Sequence, residues 1–210
     1  MLLQGAGQAL CVWQQRTEAI YFLDVGQGDG ILIRSPDGRN IVIDGGSTSQ
    51  SKCGTYTLLP ALRSQGMTEI DCWFVTHTDE DHISGLKELL LQGKLTQIKV
   101  RTVVFSAYVF QDAALAELEA VIRAAGITIV WMREGDVIGD DTFTLTCLHP
   151  TAEYRAKDKN AASLALAYHS DTFDMLFTGD MDADAVADMD IQQDYDCIKL
   201  PHHGSKYSYV

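Results

Sequence analysis

Three times along this chain a short apolar run ends abruptly in side chains able to bind a metal ion. Cys72-Trp73-Phe74-Val75-Thr76 runs straight into His77-Thr78-Asp79-Glu80-Asp81-His82, Leu176-Phe177-Thr178 into Gly179-Asp180, and Ile198-Lys199-Leu200 into Pro201-His202-His203-Gly204-Ser205. Short apolar runs bounded by turn residues read as strands, and polar loops carried on strands are where chemistry is usually placed. The fold must therefore accommodate a constellation centred on His77–His82, with Asp180 and the histidine pair supplied from far down the chain.

In the first loop, alternate residues can direct His77 and Asp79 at one cation while Asp81 and His82 turn toward a neighbouring one. Imidazole together with carboxylate suits divalent transition metals. The competing reading is a solvated acidic loop in which Asp79 or Asp81 caps the following helix, but two histidines flanking alternate aspartates exceed what capping requires. Asp180 by itself reads as a turn residue; in this company it becomes a carboxylate able to bridge two ions. Adjacent residues after a strand point to different sides, so one of His202 and His203 is expected to ligate and the other to meet substrate or act as an acid. His203 is the ligand candidate, and the alternative for the segment is an exposed polar tail.

Two glycine-rich turns near the start, Asp24-Val25-Gly26-Gln27-Gly28-Asp29-Gly30 and Asp44-Gly45-Gly46, each put an aspartate at a strand end. Asp24 and Asp44 are expected to orient metal-bound histidines from behind. Gly26-Gln27-Gly28 lacks the helix that a dinucleotide-binding loop requires.

Strands are expected at Ile20–Val25, Gly30–Arg34, Asn40–Ile43, Asp71–Thr76, Val100–Phe105, Ile127–Met132, Phe143–Leu148, Ser163–Tyr168, Phe173–Phe177 and Asp196–Leu200. Helical spacing marks Gln111–Ala125, Tyr56–Gln65, His82–Leu91 and, more weakly, Ala183–Met189. Pro36-Asp37-Gly38 signals a hairpin, so the start reads as an antiparallel meander and the remainder as mixed strands and helices. Without repeats or linker-like tracts, residues 1–210 form one domain of two sheets flanked by helices, large enough to need no disulfides.

The five cysteines include no CxxC pair, which argues against a zinc knuckle, and Cys72, Cys147 and Cys197 lie in apolar runs as expected of core residues. No run approaches membrane-spanning length and the N-terminus lacks a basic flank, so the chain as given is expected to be soluble. A formal charge of −13 counts against a general nucleic-acid binder unless a basic patch or bound cations offset it.

Taken in order, Phe22-Leu23-Asp24-Val25-Gly26-Gln27-Gly28-Asp29, Ile43-Asp44-Gly45-Gly46, His77-x-Asp79-x-Asp81-His82, Asn160-x-x-Ser163, Thr178-Gly179-Asp180 and Pro201-His202-His203-Gly204-Ser205 resemble the metallo-β-lactamase superfamily. Within it they resemble the C-terminal hydrolase domain of ComEC-type competence (DNA-uptake) proteins and their free-standing relatives. The resemblance covers nearly the whole chain. It implies an α/β fold, the four-layer αββα sandwich, with a metal site at one edge. It also implies two divalent ions, His77 and Asp79 at one, Asp81 and His82 at the other, and Asp180 between them. The superfamily usually has histidine where Asp79 stands, so the site is richer in oxygen and suits zinc or manganese. His149 and Asn160 are candidates for a further ligand. Related domains continue beyond the histidine pair, so the last layer is expected to be incomplete.

The implied chemistry is hydrolysis by a metal-bound hydroxide, oriented or deprotonated by Asp81, with His202 or His203 serving the leaving oxygen. The implied substrate is a nucleic-acid phosphodiester such as single-stranded DNA, met by Arg155, Lys157, Lys159, Lys199 and Lys206. The alternatives are a small ester, lactone or phosphodiester, and a non-catalytic metal-binding accessory domain of a DNA-uptake transporter. Relatives carry this domain attached to a membrane channel, and the sequence does not fix a location.

Overall fold

A computed structural model describes residues 17–189, 191, 193–206 and 208. Side chains that alternate along the early strands divide between two cores. In β2 (Gly30–Arg34) and β3 (Asn40–Asp44), Ile31, Ile33, Ile41 and Ile43 enter one core while Leu32 and Val42 enter the other. β4 (Glu69–Phe74) and β5 (Lys99–Ser106) continue the division, with Phe74 and Val104 on one side and Trp73 and Val103 on the other. Successive strand residues face opposite ways, and burial of both faces is why these strands read as unbroken apolar runs.

With β1 (Ala19–Phe22) and β6 (Thr128–Met132) they build a six-stranded sheet in chain order, antiparallel as far as β3 and parallel from β3 to β6. The hairpin expected at Pro36-Asp37-Gly38 joins β2 to β3, with Arg34 opposite Asn40. Parallel strands need crossovers. These are α1 (Leu59–Ser64), entered through a wider turn at Gly54–Leu58, α2 (Glu80–Gln92) and α3 (Ala113–Ala124). Leu62, Leu86, Leu89, Leu118 and Ile122 lay these helices on the Leu32–Trp73 face. α3 begins where the Asp112 carboxylate accepts from Leu115 N at 2.8 Å, a cap whose loss typically costs about 1 kcal/mol.

The second sheet has the order β11 (Cys197–Lys199), β10 (Asp174–Phe177), β9 (Ala165–Ser170), β8 (Phe143–His149), β7 (Val137–Gly139). Phe143, Leu145 and Cys147 of β8 turn inward and share a core with Ile31, Ile43, Phe74 and Val104, so the sheets stack face to face. On the outer side of the second sheet α4 (Ala183–Asp188), capped by Asp182, forms a small cluster of Met181, Ala185 and Met189 with Ala165. Helices, sheet, sheet and this thin helical layer make the expected αββα order. Among the described residues no helix is long and apolar enough to cross a membrane.

Several expectations shift. The strand placed at Ser163–Tyr168 runs instead from Ala165 to Ser170, because Leu164 N is drawn off to Thr76 O at 2.8 Å. β7 went unforeseen; three residues, two of them exposed, carry no apolar pattern. Cys147 is fully buried, its thiol pushed up to about 12 by that burial, whereas Cys72 is only half-buried. Cys197 is no core residue: it is exposed at the start of an edge strand, where one flank has no neighbour. Cys11 lies outside the described residues.

Candidate metal centre

β3 ends at Asp44, in the left-handed region at φ 57°, and this turn aims its carboxylate across the parallel neighbour. Asp44 accepts from Thr76 N at 2.8 Å and from Thr76 Oγ1 at 2.7 Å, and its Oδ2 lies 2.9 Å from His82 Nδ1. Trp73 Nε1 donates to Asp44 O at 2.8 Å, so the core itself holds the turn. A carboxylate behind an imidazole keeps the proton on Nδ1 and leaves the Nε2 lone pair for an ion. Asp44 thus lies directly behind His82; Asp24 lies apart from it. Asp24 is exposed, its carboxylate accepting from Gly26 N within its own turn and its carbonyl from Gln50 Nε2.

His82 Nε2 is buried without a hydrogen-bond partner and lies 3.3 Å from Asp180 Oδ2. Asp180 is brought there by the turn after β10. Gly179 sits at φ +53°, where a Cβ would lie 2.9 Å from Ser163 Cβ and 3.0 Å from Thr76 Cβ, so a side chain would displace the loop. His203 joins from the loop after β11, its Nε2 3.2 Å from Asp180 Oδ2 and 3.8 Å from Asp81 Oδ2. The donor atoms of Asp29, His82, Asp180 and His203 all lie within 4.8 Å of one another.

Asp29 was not among the expected site residues. It sits at the far end of the turn that holds Asp24, its Oδ1 3.5 Å from His203 Nδ1, and its N donates to Asp81 O at 3.1 Å. Gly28 permits that approach, since a Cβ there would come within 2.4 Å of Asp81 O. The second residue that sequence reasoning underrated is Lys199, counted only as a surface base for substrate. Its Nζ donates to Gly179 O at 2.7 Å and lies 2.5 Å from Asp29 Oδ2 and 3.3 Å from Asp180 Oδ1. Alternation read from the sequence would turn Ile198 and Leu200 inward and Lys199 out; in the structure Ile198 and Leu200 are exposed and Lys199 faces in, so no local signal marked it.

The remaining candidates fall around this cluster. His77 is buried, its ring 4.0 Å from that of His82, with Nδ1 3.1 Å from Thr76 Oγ1 and Nε2 unpartnered. Asp79 Oδ2 is 3.6 Å from His77 Nε2, but its other oxygen is held at 3.0 Å by Lys159, which also pairs with Asp112 at 2.8 Å. Asp79 occupies the N-cap of α2 without making a side-chain capping bond, so capping does not explain it. The His202 side chain is the more exposed of the pair, its Nε2 4.0 Å from Asp180 Oδ2. His149 is drawn away from the cluster: Nδ1 bonds Ser163 O at 3.0 Å, and the ring lies 4.6 Å from Tyr154 beneath α4. Asn160 meets Ser163 N through its backbone carbonyl.

The electrostatics follow from this crowding. Burial alone would raise the Asp180 carboxyl, but His203, His82 and Lys199 hold it far below the ordinary range. The Asp180, Asp29 and Asp81 carboxylates push His203 up to about 11. Burial would lower His82, yet Asp44 and Asp180 outweigh it and raise it to about 10. His149, by contrast, is lowered by its burial. Histidines pressed against several carboxylates hold protons where a divalent cation would serve equally well, and metal ligation requires that those protons leave. Two buried, unpartnered Nε2 atoms beside carboxylate oxygens are the donor chemistry that a divalent ion fits.

The sequence matches Lactamase_B, the metallo-beta-lactamase superfamily, over residues 23–152. It is 31% identical over 202 residues to ComE operon protein 3 of Bacillus subtilis (strain 168), covering 89% of this chain and 25% of that protein, so the chain spans about a quarter of this relative's length. The fold is similar to the metallo-beta-lactamase fold protein YhfI from Bacillus subtilis, with a TM-score of 0.50 at 15% identity over 76% of this chain and 62% of that one. The chain belongs to the metallo-beta-lactamase superfamily, whose members are generally metal-dependent hydrolases.

Proposed function

We propose that this chain is a metal-dependent phosphodiesterase that hydrolyses DNA, single-stranded DNA first among its substrates, using two divalent ions, zinc or manganese. The observation that supports the metal-dependent chemistry is the convergence of Asp29, His82, Asp180 and His203 on one position, with the buried Nε2 of His82 lacking a hydrogen bond among the described residues and that of the neighbouring His77 likewise, 3.6 Å from Asp79 Oδ2. His77 with Asp79 would hold one ion and His82 with Asp81 the other; Asp180, 3.3 Å from His82 Nε2, and His203 stand on the His82 side, and Asp29 would add an oxygen there. DNA as substrate rests on the resemblance to ComEC-type competence proteins.

When bound, divalent ions supply an acidified water and positive charge for the phosphate oxygens. Asp81, its Oδ2 3.8 Å from His203 Nε2, would orient a water and take its proton. His202, with its side chain partly exposed, would donate to the leaving oxygen. Asp44 keeps His82 aimed, and Thr76 does the same for His77.

The basic residues near the site are already engaged. Lys157 pairs with Asp182 at 2.5 Å, Lys159 with Asp79 and Asp112, and Lys199 with Asp29 and Asp180. A polyanion would therefore be held chiefly through the metal ions. The same pairing favours a second reading, hydrolysis of a small ester, lactone or phosphodiester. The test is cleavage of a fluorescent single-stranded DNA by metal-free protein given manganese, zinc or magnesium, with Asp81→Asn and His77→Ala as controls. Metal-dependent cleavage lost in both variants supports the nuclease. Tight metal binding without DNA cleavage but with turnover of a small phosphodiester or lactone replaces it with the second reading, and metal binding with no turnover of either leaves a binding module.

A further inference from the structure

Lys199 lies on the inward side of an edge strand, its side chain 8% exposed. An amine so far from water requires compensation. It receives it from Gly179 O, Asp180 and Asp29. The two carboxylates come from different halves of the fold, Asp29 from the loop between β1 and β2 of the first sheet and Asp180 from the turn after β10 of the second. Each turns one oxygen to the amine and keeps the other for imidazole: Asp29 Oδ1 is 3.5 Å from His203 Nδ1, and Asp180 Oδ2 is 3.2 Å from His203 Nε2 and 3.3 Å from His82 Nε2. The same pair of carboxylates is thus shared between a built-in cation on one side and the ion-binding position on the other.

We propose that Lys199 is a positioning residue acting as the resident counter-cation of the metal centre: it holds Asp29 and Asp180 together when no divalent ion is bound, and its charge sets how tightly an ion is taken up. This rests on the reading of the cluster as a metal site. Removing the amine leaves two buried carboxylates without their shared partner, which destabilises the metal-free fold. A divalent ion restores the missing charge, so the loaded variant recovers. The ion also binds more tightly, because the repulsion between an ammonium and a dication across shared carboxylates is gone. A lysine that served only packing, or only the bond to Gly179 O, would lower metal-free and loaded stability alike.

The test compares the full chain with Lys199→Met and with Lys199→Gln, which keeps an amide donor for Gly179 O without the charge. Each is unfolded thermally in chelator and in saturating manganese chloride, and manganese is titrated calorimetrically. The expected result is a larger manganese-induced rise in melting temperature in both variants than in the wild type, and a manganese dissociation constant lower by roughly tenfold or more. A variant folded only in manganese is the same result in its extreme form. An equal or smaller rise, weaker manganese binding, or a variant that stays unfolded even in manganese overturns the proposal while leaving the wild-type metal response intact. No manganese response in the wild type or in either variant overturns the metal reading and this proposal together.

Discussion

The two halves of the candidate centre are built to different standards. Around His82, Asp180, His203 and Asp29 the donor atoms converge within 4.8 Å, and Asp44 fixes the imidazole from behind. Around His77, the imidazole is equally buried, but its expected partner Asp79 is half-open to solvent and clasped by Lys159. The histidines at the heart of the two halves lie within six residues, His77–His82, spanning the turn after β4 and the first turn of α2. Neighbours in sequence therefore do not share a state of readiness: one position is organised before any ion arrives, and the other becomes complete only when a lysine gives up a carboxylate.

That contrast is open to attack. Asp180→Asn should weaken manganese or zinc binding by about a hundredfold or more, while Asp79→Asn should weaken it only a few-fold; equal losses in calorimetric titration would erase the distinction. Asp44→Asn acts through His82 and should lower affinity by about ten- to a hundredfold, with the melting temperature of the loaded protein falling alongside. Proton competition sharpens the contrast further. His82 and His203 are raised to about 10 and about 11. Folded protein then holds protons that the unfolded chain has lost above its ordinary histidine pKa of about 6.5. Their contribution to metal-free stability is full below that pH and disappears as pH rises through about 10 to 11. Melting temperatures in chelator should fall by several degrees across that window and change less with manganese present; a flat chelator profile would sink the assignment. Lys159→Met should release Asp79 and raise affinity for a second ion a few-fold, visible as a stoichiometry closer to two.

Much of this was legible in the sequence for a single physical reason. Ile31, Leu32 and Ile33 bury both faces, Phe143, Leu145 and Cys147 bury one, and each pattern announces its strand. The loops at strand ends then place themselves, which is how His77, Asp81, His82, Asp180 and His203 reach a common region. What escaped depends on long-range meetings. Nothing local to Asp29 distinguishes it from Asp24, since the difference lies in the Asp29 N bond to Asp81 O across the fold. Lys199 looked like surface charge because its two carboxylates stand far from it in the chain. His149, a candidate for a further ligand, has its Nδ1 bonded to Ser163 O and its ring against Tyr154, and its Nε2 lies 4.0 Å from Asp188 Oδ2 outside the cluster.

His202 and His203 both adopt the left-handed region, at φ 47° and 53°. Side-chain-bearing residues pay of order 1–3 kcal/mol for such a conformation. The loop that delivers His203 thus resembles a drawn spring, held by His202 N to Gly179 O at 3.2 Å and by the carboxylates around His203. His202→Gly should relax it and raise stability by about 1 kcal/mol at some loss of turnover, measurable by denaturant unfolding. A chain that tolerates such tension at its last strand end has traded robustness for aim. If the centre holds an ion, its removal should loosen this segment and expose it to proteolysis, seen as faster cleavage near His202 in chelator than in manganese.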